Sequence, residues 1–417
     1  MFENSLHYNH LGESPSVERS SEYVDSLIIP AHFAAEHSEQ VAGRVSNLEQ
    51  EYYIDPHLPV FREGDNFLED SGNLKQWSRR LADFYGDIVI DTVQDTGNLR
   101  YQDLDRESQR DIVETTVEFQ LEVLDEHADG TLKRYSLSNA NHDLRPKAII
   151  PWYVKLSTEK DLEYNKQIIE DTVEYTDHPV KPCFFMKRSL VADAKFRGEL
   201  AEYLDDAPID RVFLWIEGLD KRESNKGHFV STVDLVNRIS EQGVAPHFLY
   251  GSYFSNLLSK FGLQGTGFGI NYSESASEKL ESQDGGGGGA SRYYFEPIKE
   301  FVGIAEAVQL GEAHTEPCDC RICRDWMEDW KEIYAVANEQ KRLAQHYAAI
   351  RKKQQSEVEK KSLQELFEEL EKSEDTFGEA LSKSESVATA DHLEEWREGV
   401  KTYVEKIEGS SITEFEA

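Results

Sequence analysis

The chain is poor in cysteine, in basic side chains and in long apolar runs, and each shortage narrows what it can be. Among 417 residues there are four cysteines, and three of them, Cys318, Cys320 and Cys323, fall within six positions. Such crowding is wrong for a disulfide framework and right for a metal site in a reducing compartment. No apolar run approaches the roughly 18–20 residues needed to span a bilayer, so no membrane partner is expected. The opening MFENSLHYNH has neither the charged nor the apolar region of a secretory leader. These features predict a soluble cytoplasmic protein.

Basic charge is outnumbered throughout: 45 Lys and Arg stand against 80 Asp and Glu, a formal net charge of −35. The acid is spread along the whole chain, the pattern of a halophilic archaeon whose cytoplasm holds molar salt. A dense carboxylate surface stays hydrated there, and its self-repulsion is screened over about 3 Å at 1 M salt. A charge of −35 would ordinarily argue against a nucleic-acid partner, but in such a cell surface charge reports habitat more than partner. With 39% hydrophobic and 11% aromatic residues the chain can still bury a core, which excludes wholesale disorder.

What is present alternates. Short apolar or aromatic runs occur at Tyr23–Pro30, Glu51–Asp55, Asp87–Asp91, Lys147–Leu156, Val180–Lys187, Arg211–Glu217, Pro246–Gly251 and Gly265–Asn271. Helical spacing fills the gaps at Ser108–Glu126, Tyr164–Tyr175, Ala192–Leu204, Ser231–Gln242 and Tyr253–Phe261. Eight strands alternating with helices predict an α/β fold, a (β/α)₈ TIM-type barrel over 1–281, with an open doubly wound sheet as the alternative. A glycine-rich linker follows at 282–291, then a cysteine-bearing segment at 292–355 with a long helix expected over 325–361. The last part, 356–417, reads as an exposed, acidic helical tail.

Cys320 and Cys323 form a C-x₂-C knuckle, Cys318 adds a third sulfur from the same loop, and His346 follows 23 residues after Cys323. Three thiolates and one imidazole make a closed tetrahedral set for structural zinc, with no open position for catalysis. His314 competes as fourth ligand but lies too close to the knuckle to tie in a second element.

This C-x-C-x₂-C…His pattern, with Asn-Glu at the start of the His-bearing helix, resembles the zinc subdomain of tRNA-guanine transglycosylases, in the spacing of the archaeosine-type members. The likeness is specific over about 318–346 and architectural over 23–271. It implies an enzyme that exchanges guanine in a polynucleotide for a 7-deazaguanine base. In that family one carboxylate attacks the sugar C1′ while a second Asp handles protons. The likeness assigns proton handling to Asp55, with Asp70 (in Asp70-Ser71-Gly72) as second choice. It places Asp91, with Asp95 as fallback, at the base edge, and Glu217-Gly218 at the turn under the base. The family's Asp-Ser-Gly-Gly-Phe reads Asp55-Pro56-His57-Leu58-Pro59 here. Its strand-eight nucleophile is missing too: Phe268-Gly269-Ile270-Asn271 carries no acid, and the downstream acids Glu274 and Asp284 are the candidates in its place.

The compact build looks like the DNA-modifying relatives linked to phage defence, so DNA is favoured over tRNA. Lys341, Arg342, Arg351, Lys352 and Lys353 are the expected nucleic-acid backbone contacts. A homodimer or heteromer is the expected assembly. Two other readings stay open: an inactive paralogue serving as partner subunit, and an unrelated barrel enzyme carrying a zinc knuckle.

Overall fold

The computed structural model describes residues 2–48, 50–57, 61, 67–69, 71–128, 144–270, 274, 291–382, 388–406, 409 and 412. Seven strands, β1 (Glu3–His7), β2 (Ser26–Pro30), β3 (Glu51–Asp55), β4 (Cys183–Lys187), β5 (Arg211–Glu217), β6 (Ala245–Phe248) and β7 (Gly265–Gly269), form one parallel sheet. Its order is β3-β2-β1-β7-β6-β5-β4. The first strand therefore lies beside the last, with Ser5 opposite Ser26 on one side and Gly267 on the other. A doubly wound sheet would instead set β4 beside β1. The sheet curls into a half-barrel whose free edges are β3 and β4.

The segment expected as a strand at Lys147–Leu156 forms no strand, yet it reaches both edges. Lys147 N donates to Tyr52 O on β3, and Leu156 N donates to Phe185 O on β4, each at 2.7 Å. Only two isolated parallel bridges result, Ile149 with Val180 and Leu156 with Met186. Pro151 supplies no N–H, and two side-chain amides take up the backbone groups a ladder would use. Gln120 pairs with both N and O of Ile150, and Asn165 does the same for Val154, at 2.8–3.0 Å.

Two expectations are corrected. Asp87–Asp91 is not a strand but the start of a helix, Asp87–Thr96, in which Val89 and Val93, four apart, are the buried side chains. An alternating DIVID fits either period, and here the period of 3.6 prevails, with Gly86 at φ 85° opening the helix. The missing strand is β1, overlooked because ENSLH is mostly polar although buried. Its Glu3 accepts from Ser26 Oγ at 2.7 Å, Tyr53 OH at 3.0 Å and Lys147 Nζ at 3.2 Å. Burial alone would raise the Glu3 carboxyl, but Lys181, His247 and Lys147 outweigh it and hold it at about 2. Lys181, fully enclosed, is pushed down to about 7 by burial and lies 2.7 Å from His247 Nδ1. This polar plug sits at the amino-terminal ends of the strands. Above it, on the concave face, Tyr53, Phe185, Phe213, Trp215 and Leu249 form an apolar cluster separate from the main core.

After β7 come an antiparallel hairpin, β8 (Arg292–Phe295) and β9 (Glu300–Gly303), and the helix Ile304–His314. The helix expected over 325–361 is broken into short turns before a continuous run at Gln340–Lys360. That run covers the β1–β7 seam. Gln355 Nε2 donates to Phe2 O at 3.0 Å, and Arg351 lies 5.4 Å from the Phe268 ring. The tail is not exposed as expected: Leu363, Leu366, Phe367 and Leu370 of Leu363–Ser382 are buried. In Asp391–Lys406, Trp396 is wholly buried against Tyr253 and Phe254. Apolar positions three and four apart were hidden in a run dominated by Glu and Lys. No helix among the described residues is long and apolar enough to cross a membrane.

Burial holds His7 at about 4 and His32 and His392 at about 3, against an ordinary 6.5. They fold neutral while the unfolded chain would take up protons, so stability falls as pH drops below about 6.5 towards 3–4. Glu3 acts in the same direction, its contribution being lost between 4.5 and about 2. Thermal melts at constant high salt should show a midpoint that declines steadily from pH 6.5 to pH 4. A flat profile across that window would contradict these burial assignments.

Candidate functional site

The hairpin and the helix Gln340–Lys360 bring the four predicted metal ligands together. Sulfur–nitrogen distances from His346 Nδ1 are 3.9 Å to Cys318, 3.4 Å to Cys320 and 3.2 Å to Cys323. Ligands about 2.3 Å and 2.0–2.1 Å from a tetrahedral zinc would stand about 3.5 Å apart, so these distances bracket the requirement. All four donor atoms lie within 4.8 Å of one another. The knuckle is set by the Cys323 N–H, which donates to Cys320 Sγ at 3.3 Å. His346 Nε2 donates to Tyr294 O on β8 at 2.9 Å, and the ring stacks on Tyr293 at 4.3 Å. That bond fixes the tautomer and leaves Nδ1 as the free lone pair. The set could hold a metal ion and is consistent with zinc. His314 is exposed and packs on Phe377 instead, outside the cluster.

A second constellation lies at the carboxyl ends of the strands. Asp55 ends β3 and is 1% exposed. Its Oδ1 accepts from Tyr153 OH at 2.7 Å and from the His57 N–H at 3.1 Å, and Oδ2 lies 3.3 Å from His57 Nδ1. Burial alone would raise this carboxyl, but His57 and Tyr153 outweigh it and hold it below the usual range. His7 ends β1, donates from Nε2 to Leu249 O at 2.7 Å and stacks flat on Tyr250 at 4.3 Å. Trp215 lies between Tyr250 and Phe185, stacked on the latter at 3.9 Å. Glu217 ends β5 and pairs with Lys155 at 2.7 Å. Gly218 follows at φ 75°, where glycine has no steric penalty, and its carbonyl accepts from Arg188 Nη1 at 2.8 Å. Sequence reasoning missed His7, His57, Tyr153 and Lys155. Of these, only His57, two positions after a strand-end Asp, carried a readable signal.

The remaining candidates fall elsewhere. Asp91 and Asp95 are exposed on the helix Asp87–Thr96 rather than at a strand end. Asp70 and Asp284 lie outside the described residues. Glu274 is buried and tied down, accepting from Lys221 Nζ at 2.8 Å and Tyr347 OH at 2.9 Å. Lys221 also pairs with Glu300 at 3.1 Å, so the cluster joins the loop after β5 to the hairpin and the long helix. Among the expected phosphate contacts, Arg351 is corrected outright, being 0% exposed. Lys352 pairs with Asp25 at 3.4 Å, Lys353 with Asp319 at 2.8 Å and Arg342 with Glu339 at 3.2 Å. Lys341 is exposed. Arg342 also shares a cleft of about 350 Å³ with Arg19, Arg321 and Trp326, beside the knuckle.

No protein-family model matches the chain, and no curated protein is significantly similar to it.

Metal analysis of the purified protein should find one zinc per chain. Cys323→Ser or His346→Gln should lose it and lower the melting temperature by more than about 5 °C, since structural zinc contributes many kcal/mol to folding. Purified protein that holds no metal, or ligand variants that melt with the unaltered protein, would contradict the assignment.

Proposed function

We propose that the protein is a base-exchange transglycosylase, replacing guanine in a nucleic acid, DNA in the first instance, with a 7-deazaguanine derivative. The observation that carries this reading is the joint position of the two constellations. The C-x-C-x₂-C…His cluster is anchored by the helix that covers the β1–β7 seam, and the same sheet holds a buried, ionised Asp55 at a strand's carboxyl end. In parallel α/β sheets chemistry concentrates at that end. On this reading 147–156 stands in for the eighth stave of a barrel. The four-ligand zinc is structural, holding the subdomain against the sheet.

The chemistry requires a carboxylate that attacks C1′ as the purine leaves, and a group that protonates the departing base. Asp55 and its neighbours suit the proton work. β7 ends at Gly269 without an acid, so the nucleophile has to come from the stretch after it, where Glu274 and Asp284 are the candidates among four acids that also include Glu278 and Glu281. A second reading has its own support: because Glu274 is held by Lys221 and Tyr347, the chain also fits an inactive partner subunit of an active transglycosylase. tRNA remains the alternative polymer under the first reading.

Incubation at high salt with a labelled 7-deazaguanine precursor, separately with DNA and with tRNA, tests this. Label should enter DNA, and Asp55→Asn should reduce the rate by about 10²-fold or more. Label in tRNA alone would move the substrate assignment. No label in either polymer, with zinc bound one to one, would overturn the enzyme reading in favour of the partner subunit.

A further inference from the structure

We infer that His57 carries the protons at this site and that Asp55 acts as its positioning anion; the inference rests on the base-exchange reading. The hydrogen-bond pattern around Asp55 leads there. Oδ1 is already taken by Tyr153 OH and by the His57 N–H, and Oδ2 faces the His57 imidazole at 3.3 Å. A buried carboxylate so enclosed, and held below the usual range, is a poor acid. The imidazole differs: Nδ1 lies 3.3 Å from Asp55 Oδ2, within ion-pair distance but short of hydrogen-bond geometry, and no described residue hydrogen-bonds Nε2. An imidazole nitrogen can both give and take a proton, as the two half-reactions require.

The backbone supports a selected position rather than a chance contact. His57 adopts φ 52°, a left-handed conformation that is unfavourable for a non-glycine residue. That conformation lets one residue present both its N–H and its Nδ1 to the same carboxylate. His32 meets His57 edge-on with ring centroids 6.1 Å apart, and Trp215 lies 5.9 Å from it on the other side. Tyr153 completes the group from the segment 147–156. The arrangement follows the logic of an Asp that orients a His, with the far nitrogen left to do the transfer.

In the forward half-reaction the C1′–N bond breaks and its electron pair goes to the leaving guanine. The His57 imidazolium gives that base its proton, while a carboxylate nucleophile bonds to C1′. In the return half the incoming deazapurine gives its ring proton to the neutral imidazole as it bonds to C1′, and the carboxylate leaves with its electron pair. No net proton is gained or lost.

Three variants test this in the labelled-base assay, with melting temperatures checking that each folds. His57→Gln should lose about 10²–10⁴ in kcat and the limb of the pH–rate profile that belongs to the imidazole. His57→Ala should regain part of its rate with added imidazole, which a merely structural role would not allow. Asp55→Asn should lose a comparable factor without imidazole rescue. A His57→Gln variant within about threefold of the unaltered rate, with the same pH profile, would overturn the assignment. Should the unaltered protein exchange no base, the base-exchange reading falls, and the Asp55–His57 pairing is judged by ¹⁵N-histidine NMR. Loss of the His57 Nδ1–H signal in Asp55→Asn would uphold the pairing, and an unchanged spectrum would overturn it.

Discussion

One imidazole connects the two halves of this molecule. His346 closes the sulfur cluster from a helix whose next ten residues hold the β1–β7 seam. Tyr347 reaches Glu274, Arg351 lies over Phe268 with Nη2 3.4 Å from Ser255 Oγ, and Gln355 binds both Asn4 and Phe2. A shift of the helix by one turn, about 5.4 Å, would break all of these at once. The cluster thus fixes the register of the helix against the sheet as well as the fold of its own loop. Arg351 makes the constraint costly to violate, because a buried guanidinium resting on a ring and one hydroxyl has no alternative position in so closed a seam.

At the opposite face the organising group is a carboxylate. Asp55 is enclosed and stays ionised because Tyr153 OH and the His57 N–H donate to it and the His57 ring lies beside it, while His7 and His32 are kept neutral by burial nearby. Charge is therefore concentrated on one small group amid aromatic rings. The polar plug around Glu3 and Lys181 does comparable work at the amino-terminal ends, and it stabilises the strand crossing that brings β1 beside β7.

Legibility in the sequence followed local chemistry. The four metal ligands could be read because thiolates and imidazole at such spacings have few other uses, and β3 and β5 because EYYID and RVFLWIE leave no second period to choose from. β1 could not be read, since its burial depends on hydrogen bonds and an ion pair to residues 23 to 144 positions away. The segment 147–156 looked like a strand because composition does not reveal Gln120 and Asn165 competing for its backbone. The basic stretch misled for the same reason: Arg351 and Lys353 look alike in sequence, but one faces the seam and the other faces Asp319. His57 was hidden by a motif comparison that expected glycine at its position.

The proposed chemistry requires a covalent bond between the protein and the sugar. The most direct measurement is to incubate zinc-loaded protein with DNA in the absence of free deazapurine, denature it, digest it with trypsin and locate any nucleotide-bearing peptide by mass spectrometry. Cleavage after Lys260, Lys279 and Arg292 separates Glu274, in peptide 261–279, from Asp284, in peptide 280–292, and fragmentation distinguishes them from Glu278 and Glu281 in the same peptides. An adduct on Glu274 or Asp284 is the expected result and names the nucleophile. An adduct elsewhere, or none with DNA or tRNA, would contradict the transglycosylase assignment.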